Sequence, residues 1–68
     1  MKKTKFNVKG MHCKSCEMLI QEGVSEVDGV QSIEADHKKG YVIVEYDEKK
    51  ANETQIKKAI EKEGYEVV

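Results

Sequence analysis

Cys13 and Cys16 are the only two cysteines of this 68-residue chain, and they lie in the run Gly10-Met11-His12-Cys13-Lys14-Ser15-Cys16. Two thiols at this spacing can hold one soft metal ion between them or close one disulfide. Both chemistries run through the thiolate, which is favoured beside cationic side chains and at helix N-termini. A structural zinc site is usually closed by a full tetrahedral set of nitrogen and sulfur ligands. Here the whole supply is two cysteines and two histidines, and His37 belongs to a separate polar turn. Cu(I) is soft and accepts few ligands, so it suits the cysteine pair on donor chemistry. His12, next to Cys13, is a candidate extra ligand, although an exposed loop histidine needs no metal role. Lys14 places a cation beside what would be an anionic bis-thiolate centre, a favourable Coulomb arrangement. Met11 reads as a core anchor of the loop before it reads as a thioether ligand.

The pair is set between a strand-like and a helix-like segment. Lys5-Phe6-Asn7-Val8-Lys9 alternates polar and apolar residues, the period of a half-buried strand, and Gly10 ends it. From Ser15 to Val27, Leu19, Ile20, Val24 and Val27 follow helical spacing, with Cys16 one turn earlier. The N-terminus of that helix offers unsatisfied N–H groups and a partial positive charge to the sulfurs. Asp28-Gly29 predicts a turn. Val30, Ile33 and Ala35 predict a second strand, with imperfect alternation between Val30 and Ile33. Asp36 to Gly40 is a polar turn, and the β-branched and aromatic run Tyr41 to Tyr46 predicts a third strand. Asn52 with Gln55 has the spacing of a capping box. Ile56, Ala59 and Ile60 then form a helix face, Gly64 suits the position after the helix end, and Tyr65 to Val68 closes with a short strand. The order βαββαβ predicts an α+β, ferredoxin-like sandwich: two helices on one face of a four-stranded antiparallel sheet. That topology brings the first βα loop and the last αβ loop to the same end of the sheet, with Cys13 near Tyr65.

Composition bounds the function. At 68 residues, 38% hydrophobic and 37% charged, without proline or tryptophan, the chain predicts a single domain over residues 1–68 with a thin core and its chemistry at the surface. No segment resembles a membrane span, and no apolar stretch follows the basic start as a signal peptide would require, so a cytoplasmic location is expected. In that compartment the cysteines stay mostly reduced. Net charge is -1, but residues 1–14 hold five lysines and no acid, whereas the remainder holds seven lysines and all thirteen acids. A locally basic cysteine end would favour thiolate and steer an acidic partner. Nucleic acid is a poor partner, since the chain has no arginine and no aromatic run among its lysines.

The string Gly10-Met11-His12-Cys13-Lys14-Ser15-Cys16 resembles the GMxCxxC signature of heavy-metal-associated domains, and Gly64-Tyr65 is similar to the glycine-aromatic pair before the last strand of that family. The resemblance extends over essentially the whole chain. It implies Cys13 and Cys16 as the metal ligands, Met11 as the buried residue beneath the loop, and Tyr65 as the aromatic that many bacterial chaperones carry at this position; as a residue, Tyr65 reads as a packing aromatic that is also expected to shield the metal from water and bring a hydroxyl near the thiolates. It further implies a Cu(I) metallochaperone that passes its ion to a metal-binding domain of a copper-transporting P-type ATPase by thiolate exchange. Because the chain ends shortly after Gly64, a free-standing chaperone is expected, although an excised ATPase domain would have the same sequence. His12 stands where copper domains often carry threonine or serine and where zinc and cadmium exporters often carry aspartate. Zinc, cadmium or mercury handling therefore stays open as an alternative, with Zn(II) or Hg(II) as cargo. A metal-bridged homodimer through two exposed loops is a further expectation. The competing class is an enzyme, a dithiol oxidoreductase; the short chain, the strand order and the absence of any proline for a cis-proline loop speak against it.

Overall fold

The computed structural model describes residues 1–68 and arranges them as β1 (Lys2–Lys9), α1 (Lys14–Ser25), β2 (Val30–Asp36), β3 (Tyr41–Tyr46), α2 (Glu53–Lys62) and β4 (Glu66–Val67). The strands form one antiparallel sheet in the order β2-β3-β1-β4. This is the ferredoxin-like sandwich that the alternation and helix periods predict, with two differences of extent. β1 begins three residues earlier than the apolar alternation indicates, because Lys2 and Lys3 still pair with Tyr46 and Glu45 of β3. β4 shrinks to two residues, paired with Val8 and Lys9.

Alternation decides which side chains enter the core. Phe6 and Val8 of β1 and Val42, Val44 and Tyr46 of β3 point inward; Ile20 and Val24 of α1 and Ile56 and Ile60 of α2 cover them, with Met11 and Ala51 at the margins. Burying each large apolar side chain is worth about 1.5–3 kcal/mol, so this small set carries most of the stability. Leu19 falls outside the core. It is 46% exposed, because Ile20 and Val24, four residues apart, define the inward stripe of α1 and leave Leu19 and Met18 toward solvent. The imperfect alternation of β2 has a structural cause: the register shifts between Val30 and Ser32, a bulge that absorbs Gln31. Beyond it Ile33 and Ala35 again share a face with Val44 and Val42.

Gly29, with φ +97°, makes the turn into β2 at a place where a Cβ would lie 2.8 Å from Lys50 Cβ. α2 is started by the reciprocal capping box of Asn52 and Gln55, with bonds of 2.9 and 3.1 Å. It ends at Glu63 and Gly64, the latter at φ +95°.

Candidate metal centre

The loop between β1 and α1, the β2–β3 turn and the α2–β4 connection gather at one end of the sheet. β1 delivers the chain there, Gly10 turns it at φ +98°, and Met11 drops into the core as one of its eleven buried residues. With that side chain fixed below, His12, Cys13, Lys14 and Ser15 are lifted into solvent. Cys13 is the N-cap of α1, extended at φ −153° and ψ 172°, and makes no side-chain cap bond. The N–H of Cys16 donates to the Cys13 carbonyl at 3.1 Å, closing the first turn. The two thiols end 3.7 Å apart, both free, Cys13 exposed and Cys16 partly covered.

The Cys16 thiol is held down to about 7, from an ordinary 9.0, chiefly by the Tyr65 hydroxyl and then by backbone hydrogen bonds from His12 and Cys13. The same relation pushes the Tyr65 hydroxyl up to about 12, since giving up its proton beside a thiolate is unfavourable. The Tyr65 hydroxyl thus stands beside the Cys16 sulfur, which also faces Cys13 Sγ at 3.7 Å. Tyr65 is placed by the α2–β4 connection, and its ring lies against the loop: a Cβ added to Gly10 would stand 3.4 Å from Tyr65 Cδ1.

The loop gathers Cys13, Cys16, the backbone of His12 and, from the far end of the chain, Tyr65. It does not gather a third protein donor. No group of three or more His, Cys, Asp or Glu side chains is arranged to hold a metal ion, and the exposed His12 joins no such cluster. Lys14 is exposed on the first residue of α1 and forms no ion pair.

The basic N-terminal run is spread out in space. At roughly 3.3 Å per residue, β1 carries Lys2 and Lys3 on the order of 20 Å from the cysteine loop. There Lys2 pairs with Glu53 at 3.5 Å, and Lys5, in mid-strand, sits 4.7 Å from the centre of the Tyr41 ring. The cations left at the cysteine end are Lys9 and Lys14, joined by Lys38 and Lys39 of the β2–β3 turn.

By sequence, His37 is only a residue of the polar turn from Asp36 to Gly40. The fold brings it against Glu17, the residue after Cys16: its backbone N–H donates to Glu17 Oε2 at 2.8 Å, and its ring Nδ1 meets the same oxygen. These contacts, backbone first, hold the Glu17 carboxyl below the usual carboxylate range. No local pattern signals a contact across 20 residues.

The model of the heavy-metal-associated domain matches residues 5–66. The chain belongs to this family. Among its relatives is the "Copper chaperone CopZ" of Staphylococcus aureus (strain bovine RF122 / ET3-1), 41% identical over 63 residues that make up 93% of each chain. A solved structure described as "CopZ metallochaperone" superposes with a TM-score of 0.96 at 37% identity, covering 98% of this chain and 100% of the other. The N-terminal domain of a potential copper-translocating P-type ATPase from Bacillus subtilis, solved in the Cu(I)-loaded state, gives a TM-score of 0.89 at 31% identity, covering 96% of this chain and 81% of that one. The heavy-metal-associated fold thus appears in this chain with its sheet, both helices and its cysteine loop. No helix is long and apolar enough to cross a membrane.

Proposed function

We propose that this heavy-metal-associated domain is a copper metallochaperone that binds one Cu(I) between Cys13 and Cys16 and delivers it to a metal-binding domain of a copper-transporting P-type ATPase. The observation that carries the reading is the donor set: two free thiols 3.7 Å apart, with no third side-chain donor gathered beside them. Two thiolates suit soft, low-coordinate Cu(I), whereas zinc would remain short of its tetrahedral set. The copper-related names of the relatives support the same cargo.

The asymmetry of the two thiols supports an order of events. Cargo bound by two sulfurs on an exposed loop leaves room for an incoming thiolate of the partner, giving a three-coordinate intermediate. Cys13 is exposed and lacks a cap bond, so its sulfur is the first to leave. Cys16 is partly covered, gives up its proton more readily than an ordinary thiol, and retains the ion until a second partner thiolate arrives. Copper remains Cu(I) throughout, and each protein sulfur released takes up a proton according to its own affinity. The cytosol supplies the reducing conditions that this exchange needs. Lys9, Lys14, Lys38 and Lys39 suit an acidic docking surface on the partner.

Transfer can be followed by mixing the Cu(I)-loaded chain with a metal-free ATPase domain and separating the two proteins anaerobically. The expected result is copper on both, at a rate that falls as salt rises. Copper that never leaves the chain would exclude delivery. A rate indifferent to salt would exclude the steering role of the lysines.

A further inference from the structure

α1 begins without a side-chain cap, yet it must hold Cys16 at a defined distance from Cys13. What secures this first turn comes from another part of the chain. Glu17 is a charged residue, but its side chain is only 16% exposed, and that of His37 only 24%. The Glu17 carboxylate accepts both the backbone N–H and the ring Nδ1 of His37. His37 sits in a turn that is itself bonded throughout: Asp36 Oδ1 accepts the N–H groups of Lys38 and Lys39 at 2.9 and 3.1 Å, and the Gly40 N–H donates to the Asp36 carbonyl at 2.8 Å. The far side of the same turn reaches β1, because the Val8 N–H donates to the Gly40 carbonyl at 2.8 Å. Val8 lies just before the cysteine loop and Glu17 just after it.

We propose that the β2–β3 turn is a brace gripping both ends of the cysteine loop, with Glu17 and His37 as positioning residues that set Cys16 relative to Cys13. The bonds form a closed circuit, from Val8 through Gly40 and His37 to Glu17 and back through the loop. The span from residue 8 to residue 17 is therefore set by a rigid turn and not by the loop alone. Cys13, in mid-span, stays free to follow an incoming ligand, while Cys16, beside the clamp, does not. Glu17 touches neither the cargo nor the sulfurs; it acts through the backbone it holds. The consequence for cargo rests on Cys13 and Cys16 being the ligands. The clamp itself can be read without metal.

The test uses the full, reduced chain and the variants Glu17→Ala, Glu17→Gln and His37→Ala, with Ile56→Val as a core variant away from the loop that lowers global stability. Amide hydrogen exchange at Cys16 is measured without metal, and Cu(I) retention against a chelator is measured under anaerobic conditions. Partners that only orient a ligand typically matter by about 10–100-fold in metal affinity. Glu17→Ala is accordingly expected to speed Cys16 exchange beyond what Ile56→Val does, and to weaken Cu(I) retention by about tenfold. Glu17→Gln keeps a carbonyl oxygen for the His37 N–H and should recover most of both. His37→Ala keeps its backbone N–H and should fall between. If Glu17→Ala behaves like Ile56→Val, or loosens Cys16 without weakening Cu(I), the positioning role is wrong. If Glu17→Ala does not fold, a His37→Ala variant equal to wild type in both readouts overturns it. Should the wild type itself fail to bind Cu(I), the proposed cargo falls, while the metal-free exchange still reads the clamp.

Discussion

The two helices of this protein start alike and are finished differently. Cys13 and Asn52 are both N-caps in extended conformation, at φ −153° and −135°, and the third helical residues are Cys16 and Gln55. In α2 the pair closes on itself: the Asn52 side chain takes the Gln55 N–H, and the Gln55 side chain takes the Asn52 N–H. In α1 two thiols occupy the same two positions: the Cys16 N–H goes to the Cys13 carbonyl, and the only contact between the side chains is the 3.7 Å approach of the sulfurs. The CxxC pair therefore stands in capping-box spacing with its capping duty withdrawn. α2 uses its first N–H groups for stability. α1 leaves its helix start to sulfur, and the Glu17–His37 contact supplies part of what the missing cap does not.

Exchanging the two kinds of helix start is the sharpest way to break this comparison, and copper shows the largest effect. Cys13→Ser and Cys16→Ser should each weaken Cu(I) binding by more than the about 10–100-fold that loss of a mere supporting residue costs; chelator competition checks it. Cys13→Ser should at the same time stabilise the metal-free protein in urea unfolding, because the introduced hydroxyl can take the Cys16 N–H, a contribution of about 1 kcal/mol. A variant that loses both copper and stability would show that the cysteine already caps. Next in size, Asn52→Ala should cost about 0.5–2 kcal/mol of stability and leave Cu(I) affinity unchanged, since only the self-contained helix start is opened.

A smaller effect concerns pH. The Cys16 thiol sits near 7 in the folded chain against an ordinary 9.0. Between those values the unfolded state binds more protons, so stability rises with pH there, is fully present above about 9 and is lost as pH falls through about 7. Tyr65→Phe removes the largest cause of the shift. It should move the midpoint of Cys16 alkylation upward and flatten that part of the stability profile. An unchanged midpoint would assign the shift to the backbone donors alone.

The helix starts also show what a sequence discloses. The Asn52–Gln55 box, the alternation of Phe6 and Val8 and the β-branched run of β3 are short-range patterns, and each became the element it predicts. The cysteine run was equally legible, because its chemistry resides in two residue types at one spacing. Three features were not legible. Leu19 fits the apolar period of α1, yet Ile20 and Val24 take the inward stripe, a choice set by the sheet beneath. Lys2 and Lys3 are near the cysteines in sequence and far from them in space, because β1 is extended. His37 meets Glu17 only after β2 has returned to the end of the sheet from which α1 departed, and nothing local to either residue encodes that meeting.

The cargo is the central claim, and an anaerobic titration of the reduced chain tests it most directly, with Cu(I) competed against a chromogenic chelator and Zn(II) measured alongside. One Cu(I) per chain, held far more tightly than zinc and lost in Cys13→Ser and Cys16→Ser, is the predicted result. Zinc binding equal to or tighter than Cu(I), weakened by His12→Ala, would contradict it and make His12 a ligand.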